Sequence, residues 1–270
     1  RYKEKVLVTI NIDPTIVHVG GFAIRWYSLM IMLAALVGVL WTWRAAKKAG
    51  IPGDHAYTLA MWAIPGGIVG SRLVHILDQF GYYASNPSSI IGGQGEAIIG
   101  AVLGGTLSAW IGSRVHKLPF GRLVDMAAPG LVLAQFIGRI GCTINGDSVG
   151  LQTSGPLAII YTNPNSYAPL GVPTLPAVWY EMAWDLAVFA ALLMLRRRLR
   201  PDGSLFLAYL AMYNTGRFFI DFYRAGQPWL FGLHQAQILA LLVLAVTIPL
   251  LAARVRWQGA QSVGDAAASN

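Results

Sequence analysis

The chain has 270 residues, of which 55% are hydrophobic and only 12% charged, with a formal net charge of +8. Mean hydropathy is +0.53 and the isoelectric point is about 9.8. A soluble chain carries about a quarter charged residues, so this one has too few to cover a water-facing surface. That excludes a soluble enzyme, a disordered chain and a nucleic-acid-binding domain, and the single cysteine, Cys142, excludes a disulfide scaffold or a Cys-based zinc site. The composition predicts an all-α integral membrane protein whose surplus Lys and Arg sit in cytoplasmic loops.

In chain order, the basic start and the short apolar run Val6–Ile10, interrupted by Asp13-Pro14, do not make a cleavable signal peptide. The first span is expected to direct insertion itself. A helix needs about 20 apolar residues to cross a bilayer. Seven stretches meet that need: 22–43, 57–78, 96–113, 122–142, 177–195, 203–223 and 232–253. Gly66/Gly70 in the second and Gly100/Gly104 in the third are G-x-x-x-G pairs, which let helix backbones approach closely. Residues 1–256 therefore read as one polytopic domain, and the small, polar residues 257–270 as a disordered cytoplasmic tail.

The loop cations set an orientation. Arg44, Lys47 and Lys48 follow the first span, Arg114, Lys117 and Arg122 the third, Arg196 to Arg198 and Arg200 the fifth, and Arg254 and Arg256 the seventh. The loops at 79–95 and 143–176 have no Lys or Arg. The bias puts the N-terminus outside and the C-terminus in the cytoplasm, with Arg1, Lys3 and Lys5 dissenting.

Five arginines remain. Arg25 and Arg224 lie near the surfaces, where they can snorkel, whereas Arg72, Arg139 and Arg217 lie within apolar sequence. An arginine at mid-membrane costs at least about 2.5–3.5 kcal/mol, so it must face a partner or a polar cavity. Several on different helices suggest a shared anionic ligand. In the sixth span Tyr213, Arg217 and Asp221 are spaced by four, and Arg224 follows three later, so all four share one helix face. A buried Arg–Asp pair joining helices would give the same pattern. Glu181 and Asp185 form an acidic pair on the fifth span, readable as counter-ions for the arginines or as catalytic groups. The fourth span ends in Arg139, an Asn145-Gly146-Asp147 turn and Gly150, a run whose backbone N–H groups and guanidinium suit phosphate. The five histidines never pair at i, i+4, and no G-x-S-x-G elbow occurs, which disfavours metalloprotease and serine-hydrolase chemistry. No metal or cofactor is implied.

These residues resemble the bacterial prolipoprotein diacylglyceryl transferase family. Its signature, similar to G-R-x-G-N-F-x-N-x-E-x-x-G, is matched by G-R-I-G-C-T-I-N-G-D-S-V-G at 138–150. Further blocks agree in order: Arg25-Trp26-Tyr27, Pro65 to Leu73 around Arg72, Tyr180-Glu181, the run Tyr213…Arg217-Phe218…Asp221…Arg224, and Gly232-Leu233…Gln237-Ile238. The resemblance spans roughly 20–250 and implies a fold, a reaction and roles. Diacylglyceryl would pass from phosphatidylglycerol to the lipobox cysteine of a prolipoprotein signal peptide, in the bacterial cytoplasmic (inner) membrane, releasing glycerol phosphate. Arg139 and Arg217 would hold the phosphate, Tyr213 and Tyr27 would line the headgroup site, and Asp147 and Asp221 would orient the arginines and loop. Asn145, Gly150 and Arg72 match further family positions and would help bind substrate. No nucleic acid is implied.

The sequence also departs from the family. Ile99 stands where the family has a His in span three; the signature Asn and Phe are Cys142 and Thr143, and its Glu is Asp147. Leu175 and Val178 replace a His and a Gln before span five. The general base is then Tyr213 or, three residues from the missing His, Glu96. A non-catalytic homologue that binds anionic lipid or lipoprotein precursors, and a small-anion transporter, stay as alternatives.

Overall fold

The computed structural model describes residues 6–20, 22–90, 98–254 and 256–257. Arg1, Lys3, Lys5, Glu96 and residues 258–270 lie outside them. The fold is mostly helical: α1 (Trp26–Lys48), α2 (Asp54–Asp78), a short α3 (Phe80–Ser85), α4 (Ile98–Val115), α5 (Phe120–Asn145), α6 (Ala177–Leu195), α7 (Ser204–Ile220) and α8 (Gln235–Arg254). Each long helix falls on one of the seven apolar stretches. Five of them, α1, α2, α5, α6 and α8, are long and apolar enough to cross a membrane. At about 1.5 Å per residue, the 17 residues of α7 fall short of a full crossing.

Two expected boundaries shift. The first span starts at Trp26 because Phe22–Arg25 is strand β3, paired antiparallel with β2 (Thr15–Val19). The sixth span, α7, ends at Ile220 and passes into a 3₁₀ turn at Asp221–Tyr223. Strands are otherwise few and short. β1 (Val6–Ile10) runs parallel to β4 (Ala158–Tyr161), and β5 (Leu199–Arg200) pairs with β6 (Arg256–Trp257). Ile10, Ile159, Tyr161 and Ala168 form a small core under the first pair.

The chain divides into two compact units, one of residues 1–41 and 124–270, the other of residues 42–123. In the second, α2 and α4 touch backbone to backbone. A Cβ on Gly70 would sit 2.3 Å from the Gly100 carbonyl oxygen, one on Gly100 2.1 Å from that of Gly70, and one on Gly104 2.4 Å from that of Gly66. Both G-x-x-x-G pairs thus face each other. Arg72 of α2 donates to the carbonyls of Ile90 (3.1 Å) and Ser89 (2.5 Å) and stacks over Tyr83.

In the first unit, glycines again let helices close up. Gly141 of α5 lies under Tyr27 and Met30 of α1, and Gly216 of α7 under the Trp184 indole of α6, which donates to the Met212 carbonyl (3.0 Å). Ala128, Val132, Val188, Leu192, Leu205 and Tyr209 form a buried core between α5, α6 and α7. Asp125 of α5 takes the free N–H groups that begin α7, from Gly203 (2.7 Å) and Phe206 (2.8 Å), an N-cap supplied by another helix. The start of α8 is capped by Gln237, whose Oε1 accepts from the His234 N–H (2.9 Å).

Candidate active site

The polar ends of α5, α6 and α7 meet in one ionic cluster in the first unit. Glu181, on the first turn and a half of α6, is its centre. Arg139 of α5 approaches Glu181 Oε2 through Nε at 2.6 Å, Arg217 of α7 donates from Nη1 to Oε1, and Arg224 donates from Nη1 to the same oxygen at 2.9 Å. Asp221 forms a second acidic node. Its Oδ1 faces Arg217 (3.3 Å) and Arg224 (3.6 Å), and its Oδ2 lies 2.7 Å from His234 Nδ1. Glu181 and Asp221 are almost wholly buried, at 4% and 3% exposure. Such carboxylates persist away from water only when paired with cations and hydrogen-bonded, and three arginines supply that.

The local chain explains the convergence. Gly216 lets α6 and α7 close up at Trp184, which brings Glu181, one turn earlier on α6, against Arg217. After Ile220 the 3₁₀ turn reverses the path, and Arg224 takes an extended conformation. There it is tied into a backbone crossing: Leu151 N–H donates to the Tyr223 carbonyl (2.9 Å) and Ala225 N–H to that of Val149 (3.1 Å). Gly150 lies inside this crossing, where a Cβ would be 2.4 Å from the Leu175 oxygen and 2.8 Å from that of Tyr223. Arg224 also donates to Ser148 Oγ at 3.1 Å. The structure therefore turns inward an arginine that the sequence places near a surface.

The Asn145-Gly146-Asp147 turn ends α5. Gly146 has φ +76°, open to glycine, and a Cβ there would meet Ser166 Oγ at 2.3 Å. Asn145 donates from Nδ2 to Asp147 Oδ2 (2.9 Å), while its buried Oδ1 has no hydrogen-bond donor among the described residues. Asp147 thus orients Asn145. Tyr161 of β4 supports the turn by donating to the Thr143 carbonyl (2.8 Å), and burial pushes its phenol up to about 12. Farther out, Thr15 N–H and the Asn165 amide hold the Asp13 carboxylate below its usual value.

Of the residues singled out from sequence, Arg139, Arg217 and Asp221 share the cluster. Asn145, Asp147 and Gly150 form the loop at its edge, and Tyr27 lies over Gly141, two residues from Arg139. Tyr213 is one turn before Arg217, packed beside Tyr209 (ring centroids 6.1 Å apart), and its hydroxyl makes no hydrogen bond among the described residues. Arg72 belongs to the other unit. Glu181 acts as the counter-ion that the sequence allowed, whereas Asp185 makes no ion pair among the described residues. Sequence reasoning did not single out Ser148 or His234, although His234 sits in the block from Gly232 to Ile238. The segment between Arg224 and His234 carries exposed Trp229 and Phe231 at its tip, and both its feet rest on the cluster, one on Glu181, the other on Asp221.

A bundle of apolar helices whose partly buried arginines converge on shared, buried carboxylates defines a membrane protein with an ionic cluster among its helices. The prolipoprotein diacylglyceryl transferase family profile matches residues 14–253. A phosphatidylglycerol–prolipoprotein diacylglyceryl transferase of Dehalococcoides mccartyi is 40% identical over 92% of this chain and 96% of its own. Proteins of the same name from Nostoc sp. and Clostridioides difficile are 36% and 33% identical, over 88% and 82% of this chain and 88% and 87% of theirs. The chain belongs to the prolipoprotein diacylglyceryl transferase family.

Proposed function

We infer that this chain transfers the diacylglyceryl group of phosphatidylglycerol to the lipobox cysteine thiol of prolipoprotein signal peptides, releasing glycerol phosphate. The observation that carries this reading is the convergence of Arg139, Arg217 and Arg224 on Glu181 in a family of that activity. A thiolate sulfur attacks the glyceryl carbon, the C–O bond to phosphate breaks, and the electron pair leaves on the phosphate oxygen. The charge that must be stabilised is on that oxygen, and a fixed guanidinium does so without reorganising at the moment of reaction. Arg139 pairs with Glu181 through Nε, and its guanidinium fork is the phosphate ligand on that side. Arg217 is the second phosphate ligand, oriented by Asp221.

The unfilled acceptor Asn145 Oδ1 suits a hydroxyl of the glycerol headgroup, and Asp147 holds it in place. Gly150 keeps the loop close to Arg224, Tyr27 lines the headgroup site, and Tyr213 takes the thiol proton as its own passes to the leaving phosphate oxygen. Arg72 is assigned a lipid contact on sequence grounds alone. The enzyme is one polytopic domain over 1–256 with a tail to 270, seven spans, N-terminus outside and C-terminus in the cytoplasm. It resides in the bacterial cytoplasmic (inner) membrane, and the site opens toward the outer leaflet. Support for the orientation comes from the cationic ends of α1, α4 and α8.

The test is purified protein with phosphatidylglycerol and a lipobox peptide. A mass gain of one diacylglyceryl group is expected, lost with Arg139→Lys, which keeps the charge without the fork. Folded protein that binds the lipid and yields no product would mark a lipid-binding homologue instead.

A further inference from the structure

One turn from each end of the ionic cluster lies a second polar layer. Gln135 precedes Arg139 by four on α5, Asp185 follows Glu181 by four on α6, and Tyr213 precedes Arg217 by four on α7. Tyr209 joins the layer, adjacent to both Gln135 and Asp185. Beyond it is the apolar core of Val132, Val188 and Leu192. Asp185 is 1% exposed, and its Oδ2 has no hydrogen-bond partner among the described residues; the same holds for Gln135 Oε1. Two buried acceptors without a donor are costly, and a proton on one of them would supply a donor.

The charges say when that proton is needed. Arg139, Arg217 and Arg224 carry three positive charges; Glu181, Asp221 and an ionised Asp185 carry three negative. A neutral His234, donating through Nδ1 to Asp221, adds none, and neither does Tyr213 as the phenol. The empty site is then neutral. A phosphodiester headgroup brings one negative charge into this low-dielectric region, where an uncompensated charge is expensive. Glu181 and Asp221 are each held by two or more cations, so neither is the place for a compensating proton. Asp185 is. Among the described residues, the charged and titratable groups around it are Arg139 on α5, Glu181 on its own helix, and Arg217, Tyr209 and Tyr213 on α7.

We propose that binding of an anionic phosphodiester lipid at the arginine cluster takes up one proton from solvent onto Asp185, so that lipid loading is proton-coupled. The inference rests on the arginine cluster being the headgroup site. It assigns Asp185 a charge-compensating role distinct from attack or leaving-group chemistry.

The experiment measures phosphatidylglycerol binding to the full chain in zwitterionic detergent between about pH 5.5 and 8.5, a range in which the lipid keeps its single charge. Uptake of one proton makes affinity fall by up to about tenfold per pH unit as pH rises. Asp185→Asn, nearly isosteric, should bind with little pH dependence. A measurement on the wild type alone, lipid added to weakly buffered protein with an indicator dye, should read close to one proton taken up per lipid bound. Lipid binding that needs Arg217 but shows no pH dependence and no uptake would overturn this inference and leave the functional reading intact. A slope that survives Asp185→Asn but vanishes in His234→Gln would put the proton on His234 and overturn it as well. Binding unaffected by Arg217→Gln would overturn the headgroup site itself.

Discussion

Glu181→Gln removes one charge from the point where three guanidiniums meet and changes almost nothing in shape. Glu181 is 4% exposed and faces Arg139, Arg217 and Arg224, so their compensation falls to Asp221 and, where ionised, Asp185. Breaking a buried ion pair by removing one partner costs about 3–5 kcal/mol. For a chain of this size each kcal/mol lowers the melting temperature by about 2–4 °C, so the fall should be roughly 6–20 °C. The assay is thermal unfolding in zwitterionic detergent, repeated with phosphatidylglycerol. The freed arginines gain most from a phosphate, so the lipid should stabilise the variant by more degrees than it stabilises the wild type. A drop below about 2 °C, or equal stabilisation by lipid, would refute the idea that Glu181 holds these cations together.

Gly70→Leu drives a side chain into the Gly100 carbonyl and Gly104 backbone, which cannot yield; α2 and α4 should separate, seen as lost cross-linking between cysteines placed on them. Gly81→Leu, which meets nothing within 4 Å, is the silent control. Tyr161→Phe should cost about 1 kcal/mol for the lost bond to Thr143. Because the folded phenol is raised to about 12, its contribution is whole below the unfolded value near 10 and vanishes as pH climbs through 12. Melts across that window should flatten in the Phe variant, and an unchanged alkaline fall would place its origin elsewhere. Tyr213→Phe should slow transfer by roughly 10²-fold with lipid binding little changed; normal turnover would remove Tyr213 from proton transfer.

The long helices were legible because burial in lipid leaves a composition signal in every span, and the G-x-x-x-G pairs because close backbone contact demands glycine on both sides. The shared face of Tyr213, Arg217 and Asp221 followed from helical spacing alone. Spacing put Arg224 on the face of Arg217 and Asp221 but could not show that α7 stops at Ile220, nor that a 3₁₀ turn and the crossing at Gly150 aim Arg224 at Glu181. Nor could it pair β1 with β4, about 150 residues apart, or give Asp125 its role capping α7. These contacts are long-range, and no local period records them. Glu181 was legible as a counter-ion, but not as an acid shared by Arg139, Arg217 and Arg224 together.

The segment from Ala225 to Leu233 has Arg224 at one foot, paired with both Glu181 and Asp221, and His234 at the other, paired with Asp221. Its tip displays Trp229 and Phe231, the latter 91% exposed and at φ +53°. Lifting either foot removes one of several partners from a buried acid, so the position of this loop is coupled to the ion pairs beneath it. A headgroup that competes for Arg224 would therefore weaken the hold on that foot, tying the exposed Trp229 and Phe231 to occupancy of the site.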